Sequence, residues 1–171
     1  MGAAALPILG LWLAATSLYA EPLKNHYNDP FFQVTHALPA CPQPRGPFMT
    51  EREAQMEAHP RIERGTSCFM AGKCSEPNAY RYDARIAKTA QVAVVKALRS
   101  DPRLARSSVW FTVQRRFVFV QGCVAGRVQI ARWQALIKTV PEVEYVSVDL
   151  MVLKGETGSV KSAHVPYPTM P

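Results

Sequence analysis

The sequence predicts an α+β protein. It carries one αββαβ unit, two helices packed on one face of a three-stranded sheet, behind a proline-rich N-terminal extension. Three observations lead there. Between about residues 83 and 153 the apolar spacing switches from helical to alternating and back. The flanks on either side show no sustained period. Four cysteines, at 41, 68, 74 and 123, follow an apolar leader.

The leader, "MGAAALPILGLWLAATSLYA", has no charged side chain, and Ala20 is a suitable residue before a cleavage point. Residues 1–20 therefore read as a signal peptide for export; the alternative is an uncleaved anchor, against which Pro7, Gly10 and the short apolar run argue. Residues 21–82 read as an extension: an extended arm, a short helix and a cysteine loop. "TERE", Thr50 to Glu53, is a capping-box pattern that opens the helix, and Pro60 is expected to end it. Cys68 and Cys74 flank Gly72, which eases the chain reversal a local bridge needs.

The αββαβ unit spans residues 83–153. "DARIAKTAQVAVVKALRSD" is helical, with Ile86, Ala90, Ala93 and Ala97 on one face and Val94 and Leu98 at its margin. "SVWFTVQ" and "FVFVQGCV" are strands joined through Gln114-Arg115-Arg116, a hairpin without the usual Asn-Gly or Asp-Gly. "GRVQIARWQALIKTV" places Ile130, Trp133, Leu136, Ile137 and Val140 on a helical stripe that Pro141 closes. "EYVSVDLMVL" alternates as the last strand. Residues 154–171 contain little apolar material and three prolines, and are expected to form a disordered tail.

The unit resembles the BON domain, a module of bacterial envelope and osmotic-stress proteins, in single copy. The resemblance rests on joint spacing. Asp101, Pro102 and Leu104 form an Asp-Pro-x-Leu turn; Val109, Phe111, Val113, Val118 and Val120 alternate through two strands. Gly122 and Val124 make a Gly-x-Val, and Pro141, Val143, Val146, Leu150 and Val152 follow the pattern of the last strand. Arg115 and Arg116 depart from the usual turn residues, and Glu142 stands where the family has glycine. The resemblance implies a non-catalytic module that binds phospholipid at a bacterial envelope, in the periplasm or on the periplasmic face of the outer membrane.

No residues suggest an active site or a cofactor. The four histidines lie outside the unit, and its acids pair with no nucleophile by any motif. Cys68 with His59 as base is a remote alternative to a cystine half. Zinc is disfavoured because no Cys-x-x-Cys is present. Residues 84–153 hold eleven Lys or Arg against four Asp or Glu, so the chain's formal charge of +7 belongs to this unit. Nucleic acid is set aside: no Gly-x-x-Gly clamp or aromatic RNA-binding signature appears, and export removes the chain from it.

An anionic membrane is the expected partner. Opposite Ile86 on the 83–101 helix lie Arg85, Lys88, Val92, Val95, Lys96 and Arg99: four cations around two β-branched apolar residues, suited to headgroups with shallow insertion. The alternatives are a solvated basic face on which two valines happen to sit, or a face covered by the arm. Strand parity then points Trp110, Phe117, Phe119, Cys123, Tyr145 and Met151 away from the helices. That outer face needs a cover, which Phe31, Phe32, Phe48 and Met49 of the arm are expected to supply, fastened by Cys41–Cys123 and leaving Cys68–Cys74 as a local clip. The competing reading is that the outer face binds an envelope protein partner.

Overall fold

The computed structural model describes residues 21–153 and 164–171. Its architecture is α+β: one four-stranded mixed sheet, three α-helices and two disulfides. The elements run β1 (Phe31–His36), α1 (Glu51–Met70), α2 (Asp83–Ser100), β2 (Ser107–Gln114), β3 (Phe117–Val124), α3 (Val128–Lys138) and β4 (Tyr145–Val152). Short 3-10 turns at Ala79–Tyr82 and Pro102–Ala105 lead into and out of α2. The sheet order is β1-β2-β3-β4; the first two pairings are antiparallel and β3–β4 is parallel across α3.

The sheet has four strands where the sequence suggests three. "FFQVTH" of the arm pairs with β2 along Phe31↔Thr112 to His36↔Ser108, so the free edge of β2 is covered by the chain itself. The six residues alternate too weakly to show as a strand, and their partners lie between 72 residues (His36↔Ser108) and 81 residues (Phe31↔Thr112) away. Strand pairing also corrects the expected role of Phe32. Neighbours in a strand point to opposite faces: Phe31 meets Phe48 edge-on at 5.7 Å, whereas Phe32 turns to the helix side and meets Phe111 at 5.7 Å.

The main core lies between the sheet and α2 and α3. Ile86, Ala90, Val109, Phe111, Val113, Val118, Val120, Val124, Trp133 and Ile137 are fully enclosed there. A second cluster forms on the outer face around Cys123, where Leu38, Met151 and Leu153 are buried beside Cys41. Both cysteine pairs are as the parity argument has them: Cys41–Cys123 with Cα atoms 5.7 Å apart and Cys68–Cys74 at 5.6 Å.

Two further expectations fail. Pro60 does not end α1, which continues to Met70. A proline inside a helix removes one N–H and crowds the preceding turn, but α1 is held from elsewhere. Its capping box is complete, with Thr50 Oγ1 accepting from Glu53 N at 3.2 Å and Thr50 N donating to Glu53 at 2.8 Å. Beyond Pro60, the Arg61 guanidinium lies between the rings of Tyr27 (4.2 Å) and Tyr80 (3.7 Å) and donates to the buried Asp29 carboxylate. The end of the chain is also fixed. Arg45 N donates to Pro168 O at 2.7 Å, Met170 N to Gln43 O at 3.2 Å, and buried Tyr167 donates its hydroxyl to Pro42 O at 3.0 Å. Residues 164–171 therefore lie on the arm, because backbone groups of 42–45 offer them partners. The readings of residues 1–20 and 154–163 fall outside the described residues.

Candidate functional site

The site proposed from sequence is the outward face of α2, and the fold presents it as one surface. α2 buries Ile86, Ala87, Ala90 and Val94 against the sheet; Ala93, Ala97 and Leu98 are partly covered. Burying that stripe forces Arg85, Lys88, Val92, Val95, Lys96 and Arg99 outward, and all six are exposed. Val92 keeps 65% and Val95 52% of its surface open to solvent. Asp101 and Pro102 end the helix, and Arg99 lies in its last turn, where a cation interacts favourably with the dipole.

The four cations are not equivalent. Arg85 makes a two-pronged pair with Glu142, at 2.6 Å (Nε) and 2.7 Å (Nη2). That contact raises the pKa of Arg85 and lowers that of Glu142 through the same hydrogen bonds. Its charge is spent locally. Lys88, Lys96 and Arg99 make no ion pair among the described residues. The effective basic surface is thus three cations flanking two valines.

The N-terminal end of this helix is fastened by a carboxylate that sequence reasoning missed. Arg115 and Arg116 both have positive φ, 54° and 65°, the backbone a two-residue hairpin of the Asn-Gly kind requires. Neither residue adopts it freely. The Asp83 carboxylate, buried at the first position of α2, accepts the N–H of Arg115 and of Arg116, each at 2.8 Å. Burial pushes the Asp83 pKa up to about 6, and the two N–H donors offset only part of that. Glu142 also has positive φ, 68°, so it keeps a glycine-like backbone while its side chain holds Arg85. No local pattern signals the Asp83 contact; only the unusual Arg-Arg pair between two strands hints that something must hold the turn.

The outer sheet face is largely covered. Trp110 and Met151 are buried, and Phe119 is partly so. What remains open is at the hairpin end, where Tyr145, 55% exposed, tilts against Phe117 at 5.2 Å and Arg115 lies over the Phe117 ring at 4.4 Å. α1 shows a further exposed apolar set, Met56, Ile62, Phe69 and Met70.

All four cysteine sulfurs are in disulfides, so Cys68 offers no thiol to His59. Among the described residues, no three potential metal ligands come together, and no helix is long and apolar enough to cross a membrane. Two disulfides suit an oxidising compartment. No family model matches the chain, and no curated protein matches it.

Proposed function

We propose that the protein is a non-catalytic module of the BON type that binds anionic phospholipid surfaces through α2, in a periplasmic or outer-membrane setting. One observation carries the reading: Lys88, Lys96 and Arg99, which make no ion pair among the described residues, stand around Val92 and Val95 on an exposed helix face. Cations near a negatively charged leaflet contribute about 1 kcal/mol each. The valines add a shallow apolar contact that salt does not screen. Arg85 acts differently from the other cations: paired to Glu142, it braces the start of the helix against the loop before β4.

The BON-type reading is supported by the order of helix, Asp-Pro turn, hairpin, helix and parallel strand. It is also supported by the glycine-like φ at Glu142 and by Gly122. A Cβ on Gly122 would lie 2.1 Å from the Ser108 carbonyl oxygen, so the second strand needs glycine there. Vesicle co-sedimentation tests the lipid reading. Binding to phosphatidylglycerol-containing vesicles that weakens with added salt, and no binding to phosphatidylcholine alone, is expected. Equal binding to both vesicles, or to neither, would remove it.

A further inference from the structure

Glu142 occupies a backbone position that suits glycine. Its φ is 68°, in the left-handed region that a Cβ makes costly. Arg116 holds the turn there: its Nε donates to Glu142 O at 2.9 Å, and its own carbonyl accepts from Glu144 N at 2.9 Å. Neither bond uses the Glu142 side chain, so glycine would keep both and relieve the backbone. What glutamate adds is a carboxylate. Among the described residues that carboxylate accepts only from Arg85, at 2.6 and 2.7 Å.

Arg85 is positioned as firmly as its partner. Its guanidinium lies 5.0 Å from the centroid of the Tyr82 ring. Tyr82 is anchored in turn, its hydroxyl accepting from Ser75 N and Glu76 N at 3.0 Å each. Asp83 ties the first turn of α2 to the hairpin that carries Arg116. Helix, hairpin and turn thus make one frame, and within it the guanidinium fork is aimed at a carboxylate. An arginine fork takes a phosphate in the same two-pronged way. Arg85 also lies three residues before Lys88, so the two are neighbours on the helix surface. The filled fork therefore belongs to the face that carries Lys88, Lys96 and Arg99.

Resting on the membrane reading of α2, we propose that Glu142 is its specificity-determining residue: an internal carboxylate that fills the Arg85 fork in place of a lipid phosphate. The face is thereby limited to the diffuse attraction of Lys88, Lys96 and Arg99, which reads the charge density of a bilayer and not a single headgroup. A carboxylate beside a basic face also repels phosphates, but any nearby acid does that. The effect proposed here passes through Arg85, and it is separable by experiment.

The test is a double-mutant cycle in the full chain: parent, R85Q, E142G and R85Q/E142G, each co-sedimented with phosphatidylglycerol-containing vesicles. E144Q is the charge control. It removes an acid two residues away, whose partner is the largely buried side chain of Arg116. E142G should bind more tightly than E144Q by about fivefold, the factor to which about 1 kcal/mol for one freed cation converts. R85Q should weaken E142G more than it weakens the parent, because only in E142G does the fork meet a phosphate. If Glu142 acts by charge alone, R85Q weakens both by the same factor. Helical circular dichroism must match the parent throughout; should E142G depart from it, E142Q is read in its place by the same criteria. Equal binding of E142G and E144Q, or equal factors for R85Q in the two backgrounds, overturns the proposal while the membrane reading stands. If neither the parent nor E142G binds these vesicles, the membrane reading falls and the proposal falls with it.

Discussion

Asp83 shows how one side chain sets the geometry around a functional surface. It stands at the start of the proposed membrane helix and holds the turn between β2 and β3, so the helix and the hairpin are registered by two hydrogen bonds to one carboxylate. The raised pKa has a definite consequence. An acid whose folded pKa lies above its unfolded value favours the folded state once protonated. Its contribution is present at low pH and is lost as pH rises through about 6. A displacement from 3.8 to about 6 corresponds to roughly 3 kcal/mol across that window. Glu142, Asp101 and Glu53 are shifted the other way by arginine partners, so the effect is isolated only by difference. Urea unfolding of the parent and of D83N at pH 7 and pH 4.5 should show the parent gaining stability relative to the variant on acidification. A constant gap between the two would mean that Asp83 is ionised throughout.

At the scale of elements, α2 and α1 show how far helical spacing can be trusted. The spacing of α2 places all six of its expected outward residues on the open face, because one packed face leaves no choice for the other. It is less accurate on the core side: Val94, set at the margin, is buried by the fold, and Ala93 and Ala97 are only partly covered. α1 follows no such rule. It buries only Ala54, Gly65 and Cys68, and is held by side chains from the arm and from the turn before α2. Those partners are distant in sequence, so the proline looked like a terminator. For α2, the apolar and charged parts of the membrane contact separate experimentally. V92S/V95S should weaken binding to anionic vesicles several-fold, and the loss should persist at high salt, where charge is screened. The two valines are open to solvent, so the unfolding midpoint should hardly move. A loss seen only at low salt would show that the valines act indirectly, by disturbing the cations.

Across the whole molecule, the sheet is the part most legible in the sequence. β2, β3, α3 and β4 follow from alternation and helical stripes, and parity along "RRFVFVQGCVAG" put Cys123 on the face where Cys41 meets it. The arm was legible only in outline. Proline and polar residues hid a six-residue strand whose identity depends on the open edge of β2, and Tyr167 finds its partner at Pro42, 125 residues away. Such contacts have no local signature. The Cys41–Cys123 bridge closes a sequence separation of 82 residues and ties the arm over Leu38, Met151 and Leu153. Replacing both cysteines by serine should lower stability by roughly 2–4 kcal/mol, measured by denaturant unfolding, while helical circular dichroism is retained. No loss would mean that the outer cluster holds the arm without the bridge.

The membrane contact proposed for the α2 face has one direct test. The direct measurement is co-sedimentation of K88E/R99E with phosphatidylglycerol-containing vesicles at low salt. It is compared with the parent and with R52E/R106E, two exposed cations on other elements whose reversal changes the net charge equally. Loss of binding in K88E/R99E, with R52E/R106E close to the parent and all three proteins folded by circular dichroism, is the predicted result. Equal losses in the two variants would reduce the interaction to overall charge. Retained binding in K88E/R99E would place the contact elsewhere.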